Sequence, residues 1–250
     1  MLNTIIWYLI KVKNKLTNFS KVDSELPYRK YLFDELIALY STEKFKNKRF
    51  LEIGPRDGED TFRLETLSPK EIIIFDLPDK SENNQNWIKK LKVNYKFIED
   101  NFMYIDTKEF ESLGKFDLIY FTGVLYHNPE QLRFLQKIYQ KLNNNGVLVL
   151  ESATTRKRWL INKNIVEILY PQTYRGTTTI THLPSKKAIL SWLKMVGFKK
   201  IIESKCYNPE NYNSKRHRFA CIAEKTEEDI QEVYYKKQLE DSPYIIGAST

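Results

Sequence analysis

The chain is poor in cysteine and histidine and has no long apolar run. Two thiols, Cys206 and Cys221, in 250 residues do not make a disulfide framework, so the expected compartment is reducing and cytoplasmic. Both sit on late strand candidates, close enough in pattern to face one another. Three histidines with no close Cys/His pairing argue against structural zinc, and no metal is expected. The N-terminal apolar run stops at Ile10, far short of the roughly 20 residues that span a bilayer. Basic residues follow this run instead of preceding it, and no small-residue cleavage site is evident, which argues against a signal peptide. Its Trp7 and isoleucine face suits a helix packed on its own domain or on a second subunit, as in a homodimer. A membrane-surface helix is the other reading. There is no internal repeat and no low-complexity tract.

What is present is an ordinary globular composition, 42% apolar and 14% aromatic, which argues against disorder. The length suits one domain with trimmings. The net charge of +8 has two readings. One is an anionic partner, nucleic acid or a phosphorylated small molecule; the other is a lysine-rich solvated surface. Only clustering along a cleft wall would make the charge a statement about substrate.

Apolar segments alternate with amphipathic ones. Strands are predicted over 49–53, 71–76, 95–100, 116–121 and 146–151, with helices over 28–40, 60–67, 86–91 and up to Leu142. Gly146 reads as the left-handed stop of the last of these helices. Strands over 200–204 and 219–224 form a hairpin. The rhythm predicts an α/β, Rossmann-like, mostly parallel seven-stranded sheet with helices on both faces and the last, inserted strand antiparallel. The organisation expected is a helical extension over 1–45, the α/β domain over 46–225 and a tail over 226–250. The segment 152–183 breaks the rhythm. It leaves the fifth strand at its carboxyl end, where open α/β sheets bind ligands, and reads as a lid or acceptor wall.

Chemistry gathers at the predicted strand tips. Glu52, Gly54, Arg56 and Gly58 follow the first strand. Glycines permit a tight turn and close approach of a ligand to the backbone. A carboxylate two residues before the first glycine would repel a pyrophosphate and attract an ammonium or sulfonium. Asp76, followed by Leu77, ends the second strand 18 residues past Gly58, where an acid can accept ribose hydroxyls. Asp100, Asn101 and Phe102 end the third, placed for an adenine amine and its ring. Thr122, Gly123 and Val124, then Tyr126 and His127, end the fourth.

These motifs resemble the class I S-adenosylmethionine-dependent methyltransferases over roughly residues 48–224. Glu52-Ile-Gly-Pro-Arg-Asp-Gly58 is similar to their first motif and Phe75-Asp-Leu-Pro78 to their second. Phe116-Asp-Leu-Ile-Tyr-Phe-Thr-Gly-Val-Leu-Tyr-His127 and Gly146-Val-Leu-Val-Leu-Glu-Ser152 are similar to the fourth and fifth. The resemblance implies S-adenosylmethionine as cofactor and S-adenosylhomocysteine as product. It puts the methionine part near Glu52 and the 54–58 turn, the ribose on Asp76 and the adenine by Asp100. Arg56 stands where many members have Gly. Thr122-Gly-Val-Leu-Tyr-His127, together with Leu183-Pro-Ser-Lys-Lys-Ala-Ile-Leu-Ser-Trp-Leu-Lys-Met-Val-Gly-Phe198, also resembles the tRNA wobble-uridine carboxymethyltransferase family. That family uses carboxy-S-adenosylmethionine, and the resemblance implies carboxylate contacts from Tyr126 and Arg218. Asn128 and Pro129 replace the Arg usual after the Tyr-His pair, and only about 45 residues precede the core. Both departures favour plain methyl transfer.

A sulfonium methyl is already activated, so the protein's task is alignment and removal of a proton. His127 is the first candidate base or orienter, with Tyr126 beside it. His182, Arg156, Arg158, Arg175 and Arg218 are candidates for an anionic acceptor, and Trp159, Tyr170 and Tyr174 for a sugar or base platform or for packing within the insertion. The leading expectation is O-methylation of a small, carbohydrate-like or phosphorylated acceptor, as in surface-glycan assembly. RNA modification is a second reading and a non-catalytic nucleoside-binding subunit a third. Glu52 disfavours a nicotinamide dehydrogenase.

Overall fold

The computed structural model describes residues 27–77, 86–170, 181–205 and 217–226. The segments 1–26 and 227–250, and with them the predicted N-terminal helix and most of the tail, lie outside the described residues, as does Cys206.

Strands β1 (Arg49–Ile53) and β2 (Glu71–Asp76) are apolar along most of their length, as strands covered on both faces must be. With β3 (Tyr95–Glu99), β4 (Phe116–Thr122) and β5 (Leu142–Ala153) they form a parallel set. β6 (Val166–Leu169) and β7 (Thr181–Pro184) pair separately as a small antiparallel sheet. β8 (Lys200–Glu203) is an edge strand of the main sheet, and β9 (Arg218–Glu224) lies between β5 and β8, antiparallel to both. The order is β3-β2-β1-β4-β5-β9-β8, the expected seven strands with the last one inserted antiparallel.

Five α-helices cover this sheet among the described residues. They are α1 (Pro27–Tyr40), α2 (Glu59–Glu65), α3 (Thr107–Ser112), α4 (Gln131–Lys141) and α5 (Lys186–Val196). Successive strand residues point to opposite faces, so Phe50, Ile72, Ile74 and Tyr120 meet Leu32 and Leu36 of α1 and Leu64 of α2. Leu51, Ile73, Phe121 and Leu148 meet Phe110 of α3, Phe134 and Ile138 of α4, and Ile189 and Leu193 of α5. The two clusters are the core.

Local signals explain the helices that the strand rhythm does not announce. Asp106 accepts from the Glu109 amide at 2.9 Å to start α3. Ser185 accepts from the Ala188 amide at 3.0 Å to start α5, and left-handed Gly197 ends it. Two expectations are corrected. The helix predicted over 86–91 is only a 3-10 turn, Ile88–Lys90, which ends where Leu91 turns extended; Trp87 and Leu91 pack on the core from either side of it. The left-handed residue after α4 is Asn145, at φ 60°, and not Gly146. Gly146 is needed for space, since a Cβ would lie 2.8 Å from the Asn143 carbonyl oxygen and 3.1 Å from that of Phe116. Among the described residues no helix is long and apolar enough to cross a membrane.

Leu36 is fully buried against the sheet. Leu36→Ala is expected to cost about 2–5 kcal/mol in denaturant unfolding, within a single transition. A separate early transition would show α1 folding apart from the sheet.

Candidate active site

The 54–58 turn carries β1 into α2. The Gly54 amide donates to the Phe75 carbonyl at 2.8 Å, and its φ of 73° is left-handed. A Cβ there would lie 2.3 Å from Val124 Cγ2, so the β1 and β4 tips touch through this glycine. Gly58, at φ 78°, lies under the Trp87 ring, 2.3 Å from where its Cβ would be. Gly123, at φ 76°, differs, because among the described residues no atom beyond its chain neighbours lies within 4 Å of its Cβ position. Its backbone faces open space between the tips of β1 and β5, where a ligand can approach closely. Arg56 adopts the left-handed backbone at φ 61°. Its side chain is 65% exposed, so where many members have Gly this residue points its side chain to solvent.

Beneath the turn is a buried acid cluster. Glu52 pairs laterally with Ile74 and Tyr120 and points to the face that α2 covers. It is 2% exposed and accepts from Thr61 Oγ1 at 2.5 Å. Burial, reinforced by the charge of Asp60, pushes its carboxyl up to about 8. Asp60 is equally buried. It takes Arg63 Nη1 at 3.1 Å, Thr122 Oγ1 at 3.2 Å and Arg29 Nε at 3.5 Å. Arg29 also donates from Nη1 to Asp57 at 3.0 Å. The Tyr120 hydroxyl is buried with no hydrogen-bond partner among the described residues, and burial holds its pKa well above the usual phenol range. This donor set fits a cationic nucleoside. It offers carboxylates and an open glycine backbone, and its guanidiniums are occupied by acids instead of awaiting phosphate.

Asp76 ends β2 on the same face as Glu52, and its charge helps raise the Glu52 pKa. Its Oδ1 accepts from the Leu77 amide at 2.9 Å, and the Leu77 side chain is exposed. Asp100 lies exposed at the tip of the neighbouring strand and accepts from the Asn101 amide at 2.6 Å; Asn101 Oδ1 accepts from the Met103 amide at 3.0 Å. Phe102 corrects the expectation that it covers an adenine. Its ring is buried in the core, 5.2 Å from Phe75 and stacked 5.9 Å from Phe134, because the turn at Asn101 folds the chain back onto the sheet.

At the other side, Leu125–His127 form a 3-10 turn after Gly123. Burial, helped by the Arg218 charge, lowers the half-buried His127 imidazole to about 4, so it is neutral at pH 7. The Tyr126 ring lies 4.0 Å from that of His127 and packs on Ala153, Leu183 and Leu169. The Arg218 guanidinium lies 5.6 Å from the Tyr126 ring and grips buried Glu151 with Nε and with Nη2, the latter at 2.6 Å. Thr122, Gly123, Val124, Tyr126, His127 and Arg218 are therefore brought together. His182 pairs with Ile168 in the small sheet, and its Nδ1 is buried with no partner among the described residues. Arg156 and Arg158 are exposed, as are Trp159 at 74% and Tyr170 at 80%. The expected packing of these two aromatics within the insertion is corrected: Glu167, Leu169 and Leu183 face inward and leave them outside. Tyr174 and Arg175 lie outside the described residues. A groove of about 200 Å³ between Val166 and Trp192 shares no residue with the strand tips.

Sequence reasoning missed Arg29, Asp60, Thr61, Trp87, Tyr120 and Glu151. Glu151 had a signal, since it is an acid at a strand tip like Glu52 and Asp76. The others are drawn in by packing, which no local pattern marks.

The family profile described as "Methyltransferase domain" matches residues 26–203. A tRNA U34 carboxymethyltransferase of Nautilia profundicola is 31% identical over 166 residues, 62% of this chain and 49% of that protein. One of Wolinella succinogenes is 25% identical over 215 residues, 79% of this chain and 74% of that protein. The chain spans about half the length of the first of these relatives. Among solved structures, the N-terminal domain of EvdMO1 with S-adenosylhomocysteine bound has a TM-score of 0.57 at 17% identity, over 78% of this chain and 81% of that one. A Burkholderia thailandensis 1,6-didemethyltoxoflavin-N1-methyltransferase has 0.57 at 12% identity, over 90% and 86%. With its sheet order and strand-tip motifs, the profile match over most of its length establishes that this chain belongs to the methyltransferase-domain family, as a class I S-adenosylmethionine-dependent methyltransferase.

Proposed function

We propose that the chain transfers a methyl group from S-adenosylmethionine to a hydroxyl of a small, carbohydrate-like or phosphorylated acceptor. The observation that carries plain methyl transfer is the Glu151–Arg218 pair. A carboxylated cofactor needs a cation near Tyr126, and Arg218, 5.6 Å from its ring, is already matched by a buried carboxylate. Glu52 and the 54–58 turn hold the methionine end, Asp76 the ribose, and Asp100 with Asn101 the adenine edge.

The cofactor, when bound, supplies an activated methyl carbon. The acceptor oxygen must lie in line with it, and alignment supplies up to about 7–11 kcal/mol in the best cases. His127 orients the acceptor by accepting a hydrogen bond from its hydroxyl. An imidazole lowered to about 4 takes a full proton poorly at neutral pH, so alignment is its larger contribution. RNA is the second reading. The exposed Arg156, Arg158, Trp159 and Tyr170 favour it, and the two relatives above carry tRNA-modifying names.

The deciding experiment supplies methyl-labelled S-adenosylmethionine with either a small-molecule cell fraction or total tRNA. Label in sugars or sugar phosphates supports the proposal, and label in RNase-sensitive material overturns it in favour of RNA. Asp76→Ala is expected to weaken S-adenosylmethionine binding on the order of tenfold while the domain stays folded; unchanged affinity by calorimetry removes the ribose assignment. His127→Ala is expected to lower kcat by about 10–100-fold with cofactor affinity intact, and equal loss of both would make it a binding residue. The Glu52 carboxyl, raised to about 8, is protonated in the free protein at pH 7. A cationic ligand favours the ionised form, so binding releases a proton and affinity climbs as pH rises toward 8. Calorimetry in buffers of different ionisation enthalpy reads that proton, and Glu52→Gln should abolish its release.

A further inference from the structure

We infer that Arg29, on α1, is a positioning residue for the cofactor turn: it bridges Asp57 on the turn's lip and Asp60 in the buried cluster below. The inference rests on reading the 54–58 turn as the cofactor site. Arg29 is 5% exposed and reaches both acids, at 3.0 Å and 3.5 Å. Burying a guanidinium is costly unless it is well paired, and α1 is already anchored by Leu32 and Leu36. Its charge is therefore directed at the turn and not required to hold the helix down.

The groups that face this cluster come from each packed element. β1 supplies Glu52, the turn and α2 supply Asp57, Glu59, Asp60 and Arg63, β2 supplies Asp76, and β4 supplies Tyr120. Arg63 pairs with Asp60 and Glu59, but it sits on α2 and moves with it. Arg29 comes from a different element, so it alone of the two guanidiniums fixes the turn and α2 relative to the sheet. Asp57 Oδ1 also accepts from the Glu59 amide at 3.3 Å, which passes the Arg29 contact on to the first residue of α2.

The test measures S-adenosylmethionine binding to the full chain by calorimetry from pH 6 to 9, with melting temperatures in parallel. Arg29→Gln is expected to raise Kd about tenfold or more and to move the pH midpoint of binding upward, because the acids lose a cation. Arg29→Lys keeps the charge without the two-carboxylate span. It should restore the midpoint and only part of the affinity. Lower melting temperatures with Kd and midpoint unchanged in both variants would overturn the inference and leave a structural ion pair. If Arg29→Gln does not fold, Asp57→Asn reads the same link at its more exposed end, and an unchanged Kd there also overturns it. A parent chain that fails to bind S-adenosylmethionine would sink the site assignment itself, a distinct result.

Discussion

A carboxylate taken out of water must be protonated, paired or hydrogen-bonded, at a cost of about several kcal/mol otherwise, and this chain buries two beside each other under one turn. Glu52 meets the requirement with a raised pKa and the Thr61 hydroxyl; Asp60 meets it with Arg29, Arg63 and Thr122. The arrangement ties four elements together: α1 through Arg29, α2 through Asp60, Thr61 and Arg63, β1 through Glu52 and β4 through Thr122. These contacts brace the 54–58 turn from below.

The sheet order brings this cluster to the right place. β1 lies between β2 and β4, so the tips carrying Glu52, Asp76 and Gly123 are neighbours, and Gly54 and Val124 are in contact range across two of them. On the far side of Gly123, the β4 and β5 tips carry a second polar assembly. There the Glu151 carboxylate holds Arg218, Arg218 faces Tyr126, and Tyr126 stands against His127. Leu183 and Leu169 of the small sheet press on Tyr126, so the insertion after β5 buttresses this assembly.

The two assemblies behave differently. The cluster around Glu52 has its acids close together, and the charges of Asp60 and Asp76 help raise the Glu52 pKa. The Glu151–Arg218 pair is internally balanced, and its guanidinium helps keep His127 uncharged. One side gathers buried acids around a paired guanidinium, the other a matched ion pair beside a neutral imidazole.

The strands, the glycine turn and the acids at the tips were legible in the sequence, because each depends on residues within a few positions of one another. Apolar runs specify doubly covered strands, and glycine marks the left-handed backbone of the turn. Three-dimensional packing decided what joins distant positions. Arg29 lies 28 residues from Asp57, and Arg218 lies 67 from Glu151; no local pattern encodes either pair. Phe102 looked available to a base until the fold turned its ring into the core, and the left-handed stop falls on Asn145, while Gly146 is kept by the lack of room for a Cβ. Sequence determined the scaffold and the chemistry offered at each tip, through local sterics and hydrophobic period. Tertiary structure alone decided which charges are buried together, because the cost of burying them depends on neighbours brought from elsewhere in the chain.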